Sequence, residues 1–587
     1  MDKNQVANLL EQVATLLELK EGSNAFEVRA YENAARSVSG LEGDIEELTR
    51  TGKLKGTPGL GATMIKRIEE LVTTGKLEFY DQLLRETPPV KLEMSRIPGV
   101  GPKKVNAIYS HLHVNSMAEL IQACQDHKVA ALPGFGKKTE EKILQGISFL
   151  SQHADRHLYA EAEEQAQAIQ QALAQVPGVV RMQIAGSLRR KRETVKDIDM
   201  VMSVADDAPE SVRANIMDVF TSQPGVQAIT GKGPTKSSVV LANGINMDLR
   251  VVGDSQFPYT LHHFTGSKEH HIPLRRRALS MNMTINDYGL FRGKEPAPEN
   301  LVPCSNEQEI YAALGLDYIE PELREDTGEI EAAERHQLPR LVETSDLKGV
   351  LHAHSTWSDG HNSIREMVEA ALQRGFTYIG ITDHSKVAAY AGGLNEDALK
   401  RQGEEIDKLQ EEYKGRIRIF KGTECDILRD GSLDFSDAAL ATLDFVVASI
   451  HSQFSLSFKE QTERMLRAIA NPYVDIIGHP TGRLLLNREG YPLDQDAMIE
   501  AAAAHGVCIE INAHPSRLDL DWHYLKRARD KGIKIPINPD AHSVSGIDVM
   551  RYGVNIARKG WLGPGDVLNT LTAEEIEVFF KNRRKNL

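Results

Sequence analysis

Residues 349–360 read GVLHAHSTWSDG, and the same pattern returns as YIGITDH (378–384), IRIFKGTE (417–424), FVVASIH (445–451), VDIIGHP (474–480), VCIEINAH (507–514) and KIPINPDAH (534–542). Each is a short apolar run that leads into His, Asp or Glu. Runs rich in β-branched residues, without polar alternation, are the pattern of strands buried on both faces, and the amphipathic stretches between them supply crossover helices. The expectation is a series of βα units with a parallel sheet, closed into a barrel or doubly wound. In such folds chemistry gathers where strands end. Ligand-type residues at the ends of successive strands therefore converge on one mouth, however far apart they lie in sequence.

Nine side chains are candidate metal ligands: His352, His354, Asp359, His384, Glu424, His451, His479, Asp540 and His542. Nitrogen and oxygen donors without thiolate suit Mn2+, Zn2+ or Fe2+, and the set is large enough for up to three ions. A single His at a strand end is commonly structural, but seven coincidences are not. Adjacent divalent cations polarise a phosphodiester and turn bound water into hydroxide near neutral pH, so no protein nucleophile is needed.

His352-Ala-His354 with Asp359, Thr382-Asp383-His384, Gly478-His479-Pro480 and Asp540-Ala541-His542 resemble the polymerase-and-histidinol-phosphatase (PHP) family over residues 346–580. The resemblance implies a distorted seven-stranded (β/α) barrel and a phosphoesterase with three metals. By the family pattern, His352, His354, Glu424 and Asp540 hold one ion, Glu424, His451 and His479 a second, and Asp359, His384 and His542 a third, with Glu424 as a bridge. Cys425, beside Glu424, is a candidate to line the site.

In the N-terminal half three segments repeat: Thr57-Pro-Gly-Leu-Gly61, Ile97-Pro-Gly-Val-Gly101 and Leu132-Pro-Gly-Phe-Gly136. A Pro-Gly-x-Gly turn between helices leaves free backbone N–H groups at the start of the second helix, and glycine lets a phosphate approach. The repeats resemble helix-hairpin-helix DNA-binding modules, with Gly59, Gly61, Gly99, Gly101, Gly134 and Gly136 at the DNA backbone. Lys66, Arg67, Lys103, Lys104, Lys137 and Lys138 flank them. Such contacts position DNA without reading its sequence.

Gly186-Ser187-Leu188-Arg189-Arg190 precedes Asp197-Ile198-Asp199, and Asp248 follows inside INMDLRVV (245–252). Asp-x-Asp puts two carboxylates on one face of a strand, and Asp248 is expected on a neighbouring strand. Three clustered carboxylates can hold two Mg2+ or Mn2+ ions that activate a 3′-hydroxyl and neutralise a triphosphate. Gly186 and Ser187 would cradle phosphates. The constellation resembles the family-X DNA polymerases over residues 1–318, and Phe264-Thr265-Gly266-Ser267 and Asn286-Asp287-Tyr288-Gly289 resemble that family's nucleotide-selecting thumb. Joined to a PHP domain, it resembles the bacterial family-X polymerases. This implies gap-filling synthesis in DNA repair and a metal-dependent 3′→5′ exonuclease. Asp197, Asp199 and Asp248 carry over as the reacting carboxylates, and Gly186, Ser187, Arg190, Phe264, Gly266 and His271 as nucleotide contacts. Arg275 matches an arginine on the template side. Lys196, His263 and His271 depart from the family pattern, which bears on substrate affinity and sugar discrimination. Arg67 stands where lyase-competent relatives carry a Schiff-base lysine; a guanidinium cannot form that imine.

The 587 residues exceed one core. The expected division is an N-terminal helical domain 1–85, a second helix-hairpin-helix region 86–150, a palm 151–255, a thumb 256–318, a linker 319–345 and a PHP domain 346–587. The whole is a multidomain α/β chain: helical at the N-terminus, an α+β nucleotidyltransferase palm and thumb, then the (β/α)7 PHP barrel. The linker is charged, and reads as lying over the surface or as an exposed helix packed between domains, which Glu329 to Glu334 would permit. No apolar stretch has the length of a membrane span and Cys124, Cys304, Cys425 and Cys508 lack CxxC spacing. A cytoplasmic monomer without membrane contact is expected. The net charge of −14 opposes a polyanionic partner, but residues 181–196 carry Arg181, Arg189, Arg190, Lys191, Arg192 and Lys196 against Glu193 alone. Gapped or nicked DNA and deoxynucleoside triphosphates are the expected partners. Two other readings stay open: a nuclease with weak or lost polymerase activity, and a small-molecule phosphatase of the PHP family.

Overall fold

The computed structural model describes residues 3–20, 22, 24–39, 41, 44–57 and 59–584; Pro58 of the first hairpin turn lies outside the described residues. The chain divides into two compact units, Met1–Ala154 and Asp155–Leu587.

The first unit is helical and holds two cores. One gathers Leu10, Val13, Tyr31, Ile68 and Leu71, the other Met94, Val105, Ile108, Leu120 and Ile143. The three Pro-Gly-x-Gly repeats share a positive-φ glycine turn that leads into a helix. Gly59, Gly99 and Gly134 turn the chain at φ +83°, +78° and +80°, a conformation that disfavours any Cβ. Gly61, Gly101 and Gly136 are then the N-caps of helices Ala62–Thr74, Pro102–Leu112 and Lys137–His153, none with a side-chain cap.

The second unit begins with a five-stranded sheet in the order Val179–Ile184, Asp197–Val204, Asn246–Gly253, Lys236–Leu241, Val226–Lys232. Asp197–Val204 and Asn246–Gly253 run parallel, and the other pairs are antiparallel. Alternation decides the faces. Ile198, Met200 and Met202 pack with helices Tyr159–Leu173 and Glu210–Thr221, while Val201 packs with Phe257 and Leu261 of helix Phe257–Thr265. Helix Lys268–Ser280, a short hairpin and helix Glu307–Ala313 enclose a further core around Tyr259, Leu274, Ile310 and Tyr311.

Residues 319–345 do not lie over the surface as a linker; Glu329–Glu334 form the packed helix of the alternative reading, with Glu331 and Glu334 exposed. Ile319, Leu323, Ile330, Ala333 and Leu341 pack into that same core beside Trp561. The charges are paired inside: Arg324, fully buried, donates to Glu307 at 2.6 Å, and buried Glu329 takes a 2.7 Å hydrogen bond from His270. Paired charges can be buried where isolated ones cannot.

All seven apolar runs of the C-terminal region contain parallel strands. The pairings join Gly349–Val350, Tyr378–Ile381 and Arg418–Lys421, then Glu424–Asp426, Val447–Ser449, Ile476–Ile477 and Cys508–Ile509. Ile511–Asn512 pairs with Ile537–Asn538, and an isolated parallel bridge joins Ala353 to Ala541. Amphipathic helices such as Ile364–Gln373 and Phe458–Ile469, both with capping boxes, connect the strands.

Candidate metal centres and nucleotide site

In the palm, the parallel register sets Asp199 directly opposite Asp248, with Asp197 two residues earlier on the same face. Burial and then the neighbouring Asp197 and Asp248 push the Asp199 carboxyl up to about 7; burial and Asp248 also raise Asp197. Lys236 Nζ meets Asp248 Oδ2 at 2.6 Å. Gly186 opens the single helical turn Gly186–Arg189 at φ +62°, and a Cβ there would stand 2.4 Å from Asp199 Oδ2. Only glycine lets this turn lie against the carboxylate. Ser187, half-buried, follows in the same turn.

The basic stretch 181–196 is not the free positive patch its composition suggested. Arg181 pairs with Asp254, Arg189 with Glu307, Arg190 and Arg192 with Glu325, Lys191 with Glu163 and Lys196 with Asp155. Arg190 also donates to Thr265 O at 2.6 Å and lies 3.1 Å from where a Cβ on Gly266 would be. Thus Gly186, Arg190 and Gly266 are brought together, but the guanidinium is engaged by protein acceptors. Phe264 lies under the Arg250 guanidinium, 3.9 Å from its ring centre. His271 is mostly buried and shares a 2.9 Å hydrogen bond with His263 O; burial brings it down to about 4. Arg275 is exposed. In the first unit Arg67 stacks on Phe79 at 4.2 Å and Lys66 is exposed. The six hairpin glycines keep open approaches, except Gly59, where a Cβ would strike Ser37.

In the C-terminal region all nine ligand candidates meet. Glu424 is the hub: His352, His354, His384, His451 and His479 each bring a ring nitrogen within 3.6 Å of its oxygens. Among the described residues three sets bring one ligand atom each to within 4.8 Å of one another: His352, His354, Glu424 and Asp540; His384, Glu424 and His451; and His354, Asp359, His384 and His542. The first set is the expected one. In the second His384 stands where His479 was expected, although His479 Nε2 is 2.8 Å from Glu424 Oε1. The third gains His354. The palm carboxylates do not form such a set.

The donors fit divalent cations. His352 Nε2, His354 Nδ1, His384 Nδ1, His479 Nδ1 and Glu424 Oε2 are buried without a hydrogen-bond partner, a costly state for polar atoms that a metal ion relieves. The electrostatics agree. Against burial, Glu424 and Asp426 push His451 up to about 10, and Asp359 and Asp540 push His542 up to about 9. Burial with His542 and His384 brings His354 down to about 3. Burial notwithstanding, the surrounding imidazoles hold Glu424 and Asp540 well below the usual carboxylate range. His479 and Asp540 take φ +25° and +51°, backbone strain of the kind that collects at functional sites.

Two supporting residues, Glu510 and Asp426, were missed from sequence, and Asp383 was read in its motif without a role. Buried Glu510 accepts from His352 Nδ1 at 2.7 Å and from the His479 amide at 3.1 Å, so His352 turns Nε2 toward the hub. Asp426 does the same for His451 Nδ1 at 3.1 Å. Asp383 gathers Ser355, Ser358 and Gln402 beneath the His352–Asp359 loop. A carboxylate inside an apolar run, as in VCIEINAH, was the available signal for Glu510. Cys425 does not line the site: it is fully buried in the core, as strand alternation requires next to Glu424.

This architecture defines a two-centre α/β protein, with a three-carboxylate palm and a polyhistidine rim at the ends of parallel strands. Family models match in four places: a helix-hairpin-helix domain at 1–77, a SAM-like helix-hairpin-helix tandem at 91–148, a DNA polymerase beta thumb at 260–325 and a PHP domain at 351–514. The chain is 40% identical over 583 residues to the DNA polymerase/3′-5′ exonuclease PolX of Bacillus subtilis, covering 99% of this chain and 100% of that protein. It is also 30% identical to a probable phosphatase of Thermoanaerobacter sp., across 41% of this chain and 98% of the phosphatase. The chain belongs to the PolX family, the bacterial family-X DNA polymerases with a C-terminal PHP domain.

Among the described residues no helix is long and apolar enough to cross a membrane.

Proposed function

We propose that this chain is a DNA repair enzyme that fills gaps through its palm and trims 3′ ends through its PHP rim. The observation that carries the reading is the presence, on one chain, of Asp199 registered opposite Asp248 and of five imidazoles around Glu424. In the palm, Asp197, Asp199 and Asp248 would hold Mg2+ or Mn2+, which when bound activates a primer 3′-hydroxyl and neutralises the triphosphate. Gly186 leaves that face open, and the backbone of Gly186–Arg189 with Ser187 faces the phosphates. Arg190 turns from Glu325 to the nucleotide. Phe264, Gly266 and His271 border the sugar and base, and Arg275 the template. Capless amides at Gly61, Gly101 and Gly136, with Gly59, Gly99 and Gly134 in the turns, hold the DNA backbone.

At the rim, His352, His354, Asp359, His384, Glu424, His451, His479, Asp540 and His542 would hold up to three Mn2+, Zn2+ or Fe2+ ions, which supply hydroxide and stabilise the leaving oxygen. Glu510 and Asp426 fix the ring orientation of His352 and His451, and Glu424 would supply the central carboxylate. The enzyme acts on gapped or nicked DNA as a cytoplasmic monomer, a setting that suits four cysteines free of disulfides.

A gapped duplex incubated with Mn2+, with and without nucleotides, tests both halves on one gel: extension with nucleotides, shortening without. A second reading, a nuclease with weak synthesis, is favoured by one observation, the engagement of Arg190 by Glu325 and Thr265. Failure of the wild type to extend a gapped primer in either metal selects it.

A further inference from the structure

The loop 385–394, which leaves the rim immediately after His384, is bound on both arms to the backbone of the centre. Leu394 N donates to His384 O at 2.8 Å and Ser385 N to Glu424 O at 3.1 Å. Ser385 Oγ receives the Asp426 amide at 2.9 Å, and the Val387 amide donates to Asp434 at 2.8 Å. The arms close tightly: a Cβ on Gly393 would fall 1.9 Å from Ser385 O, and one on Gly392 would touch Ser358 O, next to Asp359. A loop this well anchored should bury its apolar side chains. Instead its short helical turn Ala389–Ala391 presents Tyr390 72% exposed, with Val387 46% exposed beside it.

We propose that Tyr390 is a positioning residue that stacks on the 3′-terminal base of a DNA strand whose last phosphodiester lies in the rim. The inference rests on the nuclease reading above and deepens it, because it says how the rim prefers a strand end to a small phosphate ester. The phenol senses the centre: partial burial, then Asp426, Glu424 and Asp359, push the hydroxyl up to about 12. An exposed aromatic ring on an anchored loop offers a face on which a base can stack. Stacking is tolerant of base identity, which matches an activity that must accept any terminal nucleotide.

The test uses the full chain with Tyr390→Ala and Tyr390→Phe. Two readouts are taken: the ratio of kcat/KM on a single-stranded oligonucleotide to that on a small aryl phosphodiester in Mn2+, and, in chelator-treated protein, quenching of 2-aminopurine at the 3′ end of the same oligonucleotide. For Tyr390→Ala the ratio falls roughly 10- to 100-fold and the quench is lost, and Tyr390→Phe retains both. Wild-type values of ratio and quench in Tyr390→Ala overturn the proposal. So does a Phe variant as impaired as Ala, since a ring without its hydroxyl still stacks. Failure of the nuclease reading shows separately, as a wild type that cleaves neither substrate, and the metal-free quench still judges Tyr390.

Discussion

Gly186→Ala is the substitution whose consequence can be worked most directly from the geometry. The added Cβ would stand 2.4 Å from Asp199 Oδ2 and 3.3 Å from its Cβ and Cγ, where ordinary contact begins near 3.4 Å. The carboxylate must retreat by about 1 Å, and displacement of that size at a reacting group costs on the order of 100-fold in rate. The alanine must also adopt φ +62°, at about 1–2 kcal/mol of stability. Single-nucleotide insertion into a one-nucleotide gap in Mg2+ is the assay, with 3′-end shortening by the same preparation as the internal control. Insertion should fall roughly 100-fold in kcat/KM, with shortening within about twofold, because Gly186 contacts nothing in the rim. Insertion within about threefold of wild type would refute the placement of Asp199 against this turn.

Glu510→Gln, which leaves His352 Nδ1 without its anionic acceptor, should weaken metal affinity of the rim about 10- to 100-fold, as read by Mn2+ titration. Glu307, held near 2 against burial by Arg324 and Arg189, has a folded value below its unfolded one near 4.5. Its contribution of about 3 kcal/mol is thus present above pH 4.5 and lost as pH falls through 2; Glu307→Gln should flatten urea-measured stability across that window. Borohydride should trap no covalent adduct of the protein on abasic-site DNA, because Arg67 packs on Phe79 and cannot form an imine; an adduct that disappears in Lys66→Ala would assign the chemistry to Lys66 instead.

The strands and the meeting of the candidate ligands were legible because a parallel strand is written locally: an unbroken apolar run, then a polar residue where the strand ends. The convergence of His352, Glu424 and Asp540 follows from that placement. The pairing of Asp199 with Asp248 was legible for a related reason, since Asp-x-Asp and INMDLRVV fix which face each carboxylate occupies. The partners of the basic stretch 181–196 were not legible. Arg190 finds Glu325, 135 residues away in the segment that reads as a linker, and Arg189 finds Glu307 in the thumb, so a segment that reads as a phosphate patch is neutralised by acids distant in sequence. Charge counts report composition, whereas burial depends on which opposite charge the fold delivers. Residues 319–345 were legible in part: Glu329–Glu334 form the helix their sequence permits, but with few apolar residues the surface reading missed that Ile319, Leu323 and Ile330 all face one core.

Synthesis and trimming are assigned to two separate centres, Asp199 in one and Glu424 in the other. The most direct test is one gel of gapped-duplex products in Mn2+ for the wild type, Asp199→Asn and Glu424→Gln. Asp199→Asn should lose extension and keep shortening, and Glu424→Gln should keep extension and lose shortening. Loss of both activities in either variant, or of neither in both, would contradict that assignment.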